Sequence, residues 1–206
     1  MKRIEIHPVN PQPRLIRQVA EQFQTGALVA LPTDASYVLA CHLEDRTAVD
    51  RMRQLRGIDE KHLLTLLCQD LSELSQYAQV DNRQFRFLKE WTPGAYTFIL
   101  PATREVPRRL MHPSRKTVGL RVPEAPIVQA LLAELGVPLL CASLILPGDE
   151  DPLSDPDDIE DRIGKRIDLL VDGGAGQLEP TSVIDVTGDE PVIQRVGLGP
   201  VEAMLR

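Results

Sequence analysis

Four groups of residues combine hydroxyl, carboxylate, guanidinium and glycine in ways that can hold an anionic ligand. Pro32-Thr33-Asp34-Ala35-Ser36-Tyr37 follows a buried apolar run, so its polar groups converge at the carboxyl end of a strand, where open α/β sheets bind ligands. The same spacing suits an Asx- or Ser/Thr-turn with no ligand. Leu55-Arg56 ends a helix-periodic segment and Lys61 precedes the next apolar run; helix C-termini attract cations in any case, so a solvated basic end is the alternative. Gly119-Leu120-Arg121-Val122-Pro123 puts an arginine inside an apolar strand. There it needs an anion, either a structural carboxylate or the carboxylate or phosphate of a ligand. Cys141-Ala142-Ser143, Asp172-Gly173-Gly174 and Pro180-Thr181-Ser182 place small residues at strand ends. Such residues can cradle a phosphate or simply turn the chain.

No dedicated catalytic signature accompanies them: the sequence has no Walker loop, G-x-G-x-x-G, H-E-x-x-H or G-x-S-x-G. His7, His42, His62 and His112 lie at no ligand spacing, which speaks against a zinc site. The acidic run from Asp149 to Asp158 lacks EF-hand spacing and reads as an exposed loop. Neither a catalytic nor a metal-binding residue is assigned.

The elements that must position these groups follow from hydrophobic period and punctuation. Pro13 opens a helix that Gly26 ends, with Leu15, Val19 and Phe23 inward. Strands are expected at 27–31 and 37–41, then a helix capped by Asp45 or Thr47 with Val49, Met52 and Leu55 on its core face. A strand at 63–68, helices at 70–77 and 81–89 and a strand at 96–100 follow, the last after the Thr92-Pro93-Gly94 turn. Next come a strand at 117–122, a helix at 125–135, a strand at 139–146 and a helix carrying Ile159, Ile163 and Ile167. Short strands at 168–171, 183–187 and 191–196 close the chain. Alternating elements with late hairpin-like spacing predict one α/β domain over 1–206, an open, twisted, mixed sheet flanked by helices.

Composition sets the class. At 206 residues, with 43% hydrophobic and 26% charged residues, the chain can bury a core of its own. No apolar run is long enough to span a bilayer, and 1–13 has no secretory apolar core, so a cytoplasmic protein without membrane contact is expected. Cys41, Cys68 and Cys141 each sit in an apolar run and read as small core residues of a reducing compartment. The net charge of −7 is uneven: residues 1–123 hold 18 Lys/Arg against 13 Asp/Glu, and 124–206 hold 5 against 17. A phosphate-bearing partner should therefore meet the first part, unless mixed charge merely keeps the protein soluble.

In order and spacing these motifs resemble the YrdC/YciO family of threonylcarbamoyl-AMP synthases and relatives. The P-T-D-[TS]-x-Y loop appears as Pro32-Thr33-Asp34-Ala35-Ser36-Tyr37, with the hydroxyl one place late, T/W-P-G-x-x-T-x-I-L as 92–100 and G-x-R-x-P as 119–123. D-G-G appears as 172–174, P-S-T-V-[VI]-D as Pro180-Thr181-Ser182-Val183-Ile184-Asp185 with its two hydroxyl residues exchanged, and R-x-G as 195–197. Val80-Asp81-Asn82 and the segment 105–110 look closest to the YciO branch. The resemblance implies an open α/β fold with a concave basic face, binding nucleotide and RNA near the chemistry that joins L-threonine, bicarbonate and ATP, with Mg2+, for tRNA modification. It implies that Arg56 and Lys61 face a triphosphate, that Ser143 and Arg195 serve the nucleotide, and that Thr33, Tyr37, Arg121, Thr181 and Ser182 surround the amino acid and carbamate. Structured RNA or tRNA is the implied macromolecular partner, L-threonine a further small-molecule partner, and DNA is not expected.

Three positions depart from the synthase pattern. Helical phase puts Arg56 on the lysine of the K-x-R motif and Ile58 on its arginine, and a one-residue shift gives Gln54-Leu55-Arg56; one basic residue is missing either way. The S-x-N triplet falls on Cys141-Ala142-Ser143, and Ala35 precedes Ser36 where the hydroxyl belongs. Three readings stay open: a synthase-like nucleotidyltransferase, an RNA-binding module (double-stranded RNA or tRNA) without catalysis, and a hydrolase of an adenylate or nucleotide.

Overall fold

The computed structural model describes residues 1–205. Along the chain run β1 (Lys2–Glu5), α1 (Pro13–Gln24), β2 (Val29–Leu31), β3 (Val38–His42), α2 (Arg46–Arg56), β4 (Thr65–Leu67), α3 (Leu71–Tyr77) and α4 (Asn82–Trp91). They are followed by β5 (Tyr96–Pro101), β6 (Thr117–Arg121), α5 (Pro126–Leu135), β7 (Leu139–Ser143), α6 (Pro156–Ile163), β8 (Leu169–Asp172), β9 (Ser182–Asp185) and β10 (Val192–Arg195).

Local chemistry accounts for the helix starts. Prolines open α1, α5 and α6 in the first turn, where the missing N–H costs nothing. Asp45, rather than Thr47, caps α2 by accepting from the Ala48 amide at 2.9 Å. Asp81 and Gln84 bond reciprocally to each other's backbone at the start of α4. The acidic run is largely a helix start: Asp155 caps α6, and Asp157 and Asp158 sit in its positive first turn.

The ten strands form one mixed sheet in the order β1-β8-β2-β3-β7-β4-β6-β5-β9-β10. β8 pairs parallel with β1 and β2, β4 with β6, and β5 with β9, while the other neighbours are antiparallel. The mixed sheet flanked by helices is as the alternation predicts, and β9–β10 is the antiparallel hairpin. Several boundaries differ. β1 was not expected, because its only apolar residue, Ile4, stands among charges; it pairs at the sheet edge. The strand expected at 139–146 ends at Ser143, although Leu144 and Leu146 remain buried. The last expected helix stops at Ile163, and Ile167 joins the same core from outside it.

Two apolar clusters lie on opposite faces. One gathers Leu66, Phe98, Leu120 and Ile184 under α2, α3, α4 and α6. The other gathers Val29, Ala40, Cys141 and Val171 under α1 and α5. All three cysteines are free and buried, and burial pushes each thiol up from its usual range. No helix among the described residues is long and apolar enough to cross a membrane.

Candidate functional site

Two helices cannot cover a face of ten strands. The cluster under α1 and α5 draws on β1, β8, β2, β3 and β7, with Leu67 at its margin. Beyond it the same face continues over β4, β6, β5, β9 and β10, and there threonine, glycine and arginine come in among the apolar Ile99 and Val183. Register fixes this: Cys141 pairs with Thr65, Thr65 with Gly119, and Gly119 with Ile99. Thr97 then pairs with Val183, and Val183 with Arg195. Cross-strand partners share a face, so these residues lie in one row across the sheet. Gly119 is the lowest point of that row. A Cβ there would stand 2.8 Å from Thr65 Oγ1 and 3.2 Å from Thr97 Cγ2, so any side chain would fill the space above the strand.

Above this row is a cavity of about 190 Å3. Arg56 from the end of α2, Ser143 from β7, Thr181 from just before β9, Arg195 from β10, and His62, Thr65 and Thr97 line it. Arg195 donates from Nε and Nη2 to the Thr181 carbonyl at 3.1 and 2.9 Å. Thr181 and Thr97 share a hydroxyl–hydroxyl hydrogen bond of 2.7 Å. Arg56 donates from Nη1 to the Ile145 carbonyl, while its Nε is buried with no partner. Neither guanidinium pairs with a carboxylate of the described residues. Burial lowers the pKa of both, and the charge of Arg195 lowers that of Arg56 further. Arg56 is half-buried and Arg195 exposed, and two cations facing one cavity with no carboxylate on its lining can hold an anion. No carboxylate lines it, and no cluster of three metal-ligating side chains exists among the described residues. The Mg2+ implied by the family resemblance therefore finds no protein ligand set here.

A second cluster lies farther along the same face. Arg121, on β6 two residues beyond Gly119, is 3% exposed. Its Nη2 donates to Asp34 Oδ1 and, at 3.0 Å, to Thr33 Oγ1. The required anion is thus a structural carboxylate, and Asp34 Oδ2 also accepts from the Glu124 amide. Thr33 donates to the Ser36 carbonyl at 2.7 Å and accepts from the Ala35 amide, so with the Arg121 contact its hydroxyl is fully used. Arg121 Nε is buried and has no partner. Tyr37 donates to the Gly174 carbonyl at 2.7 Å and accepts from the Gly173 amide. Its contacts tie the loop to the Asp172-Gly173-Gly174 turn, and burial raises its pKa to about 12.

The late motifs close on one another. Ser182 donates to the Gly199 carbonyl at 2.5 Å and accepts from the Gly197 amide at 2.9 Å, and it is fully buried. A Cβ on Gly197 would lie 2.3 Å from the Pro180 carbonyl oxygen, which explains the glycine of the R-x-G motif. Of the expected site residues, Arg56, Ser143, Thr181 and Arg195 meet in the cavity, whereas Thr33, Tyr37 and Arg121 form the second cluster and Ser182 a buried brace. Lys61 is exposed in the turn before β4 and does not line the cavity; its neighbour His62 does. Sequence reasoning did not single out His62, Thr65 or Thr97 as site residues. The threonine of the 92–100 motif was the available signal for Thr97, and Thr65 carried none.

Comparison with known proteins identifies the family and agrees with the fold. The Sua5/YciO/YrdC family model, described as "Telomere recombination", matches residues 21–197. The chain is 52% identical over 200 residues to an uncharacterised protein, YciO, of Escherichia coli K12, covering 97% of each. The crystal structure of E. coli YciO superposes with a TM-score of 0.96 at 50% identity, over 99% of this chain and 100% of that one. A threonylcarbamoyl-AMP synthase of Halorhodospira halophila is 31% identical over 180 residues, covering 86% of this chain and 93% of the relative. The crystal structure of P. abyssi Sua5 complexed with L-threonine has a TM-score of 0.87 at 26% identity, over 96% of this chain and 58% of that one.

Proposed function

The chain belongs to the Sua5/YciO/YrdC family and is related to threonylcarbamoyl-AMP synthases, and from that premise we propose that its cavity binds the phosphates of a nucleotide beside a site for an amino acid. The observation that carries this reading is the meeting of Arg56 and Arg195 in one cavity that no carboxylate lines. Its 190 Å3 is below the roughly 300–1,000 Å3 of typical ligand cavities. That volume suits the phosphates of ATP, with nucleoside lying over the open rim. The orphaned Nε of Arg121 supports an amino-acid carboxylate in the second cluster. L-threonine, the ligand of the Sua5 complex, is the amino acid proposed.

One departure from the synthase pattern lies at this cavity, where Ser143 offers a hydroxyl in place of an amide. Another, Ile58, packs partly buried against the core and supplies no cation. The activity proposed is nucleotide binding with threonylcarbamoyl-AMP synthesis slow or lost. The test is a calorimetric titration with ATP and with L-threonine, each alone and then together. Binding of ATP at millimolar concentration or below supports the reading; no ATP heat in that range refutes it.

Structured RNA, tRNA included, is the proposed macromolecular partner. A separate groove of about 520 Å3 lined by Arg104, Arg108 and Lys116 favours it, within the cation-rich first part of the chain. Backbone contacts predict a linear fall of log affinity with log salt, by up to ~0.9 per neutralised phosphate. They also predict little sequence preference, because duplex RNA is read mostly by shape. Gel-shift binding indifferent to salt counts against it.

A further inference from the structure

We propose that His62 is the proton-carrying residue of this cavity, taking up one proton as a phosphate-class anion binds beside Arg56 and Arg195. The inference rests on the phosphate-binding reading above and adds to it a coupling between anion and proton.

His62 differs from the other three histidines in what its ring does. Nδ1 of His7 accepts from the Val9 and Asn10 amides, Nδ1 of His42 from Glu44, and Nδ1 of His112 from Arg115. Those rings are committed to turns. The backbone amide of His62 donates to Asp59, but its ring enters no hydrogen bond with the described residues and lines the cavity. It is also the cavity's one side chain that titrates near neutrality, since guanidinium stays charged throughout.

The charges around it set the direction. Arg56 and Arg53 face it from α2 and Arg195 from β10, against the single carboxylate of Asp59 in the turn. Crowding by protein, then Arg56 and Arg195, hold its pKa below the ordinary value. The free cavity therefore keeps His62 neutral at pH 7, with one N–H to donate. An anion reverses both effects: it offsets the guanidinium charge and offers oxygen atoms to a second N–H. Protonated imidazole donates from both nitrogens. By linkage, a group whose pKa rises on binding draws in a proton, and affinity falls as pH climbs from the free-state to the bound-state pKa.

The test is a titration of the four histidine rings by NMR, with and without saturating sulfate, and again with pyrophosphate. Sulfate keeps its charge across the range, so any proton gained belongs to the protein. The expected result is a rise of about one pH unit at His62, a tenfold change in its protonation constant, with the other three rings unmoved. Affinity should fall by up to about tenfold in all across that window, and His62→Gln should bind with a flat pH profile. If the amides of Thr97 and Thr181 report bound sulfate while the His62 pKa stays fixed, the proton coupling is overturned and the phosphate reading stands. If neither anion moves those amides, both fall together.

Discussion

Replacing Arg195 with alanine tests the cavity most directly. Its guanidinium does two things: it braces the Thr181 carbonyl through Nε and Nη2 at 3.1 and 2.9 Å, and it adds one of the two cations facing the space. The two losses read out separately. A hydrogen bond to a charged group contributes about 1.5–3 kcal/mol, so affinity for pyrophosphate or ATP should fall about tenfold to 150-fold. The freed Thr181 carbonyl borders an open cavity that water can enter, so the folding cost should be near the low end of about 1–3 kcal/mol. For a chain of this size that lowers Tm by roughly 2–4 °C. Arg195→Lys keeps the charge but not the planar fork, and it should fall between the two proteins with a steeper salt dependence. The assays are calorimetric titration with pyrophosphate, ATP and L-threonine, and a thermal melt of each variant without ligand. The threonine titration should be unchanged, since Arg121 and its partners are untouched. Wild-type affinity for pyrophosphate in Arg195→Ala, whatever its Tm, would refute the assignment, because it would leave Arg195 as a brace alone.

Gly119→Ala should weaken phosphate binding at least tenfold and destabilise the fold by about 1–3 kcal/mol, since its Cβ would sit 2.8 Å from Thr65 Oγ1; an unchanged titration and melt would show that the row has more room. Tyr37→Phe should cost about 1–2 kcal/mol in urea unfolding at pH 9 through its two lost hydrogen bonds. That gap should close as pH rises from about 10, where an unfolded tyrosine ionises, to about 12, where the folded one does. The sign follows because the native state alone keeps the proton in that window; a gap independent of pH up to 12 contradicts it. Threonine-dependent pyrophosphate release with ATP and bicarbonate should run at least about a hundredfold slower than in a full synthase, the lower end of losing a charged clamp at about 2.7–4 kcal/mol. Ile58→Arg together with Ser143→Asn should recover part of it, and comparable wild-type rates would restore the synthase reading.

Much of the fold was legible because its signals are local. Proline at helix starts, aspartate at caps and apolar period located the six helices and nine of the ten strands. β1 escaped because an edge strand of Lys2-Arg3-Ile4-Glu5 carries almost no apolar pattern and takes its conformation from β8, far along the chain. The site was legible only by residue type. An arginine in the apolar strand β6 signalled a paired anion, but that Asp34 supplies it depends on a contact 87 residues away. The Thr97–Thr181 hydrogen bond spans 84 residues and depends on β5 and β9 being neighbours in a sheet whose order crosses over repeatedly. Thr65 had no signal, because a threonine in a short strand looks the same whether it faces a helix or a ligand.

What joins the two clusters is the uneven covering of one sheet face. Under α1 and α5 the strands carry Val29, Ala40 and Val171; past Cys141 the helices stop and the strands carry Thr65, Gly119 and Thr97. Apolar side chains in that stretch would lie open to water, so the polar row is what an uncovered sheet face demands, and alone it proves nothing about ligands. The arginines carry the distinction. Buried polar nitrogens are nearly always hydrogen-bonded in native proteins. Among the described residues three buried side-chain nitrogens are not, and two of them, Nε of Arg56 and Nε of Arg121, belong to the cavity and to the neighbouring cluster on this face. A surface that merely tolerated water would leave its guanidinium nitrogens open to it, as at Arg104 and Arg108; Arg195 at the cavity is exposed as well, so the contrast rests on Arg56 and Arg121. Burying Nε of Arg56 and Nε of Arg121 with no acceptor among the described residues, and with Asp34 the carboxylate at the second cluster, leaves two donors that water or a ligand can meet.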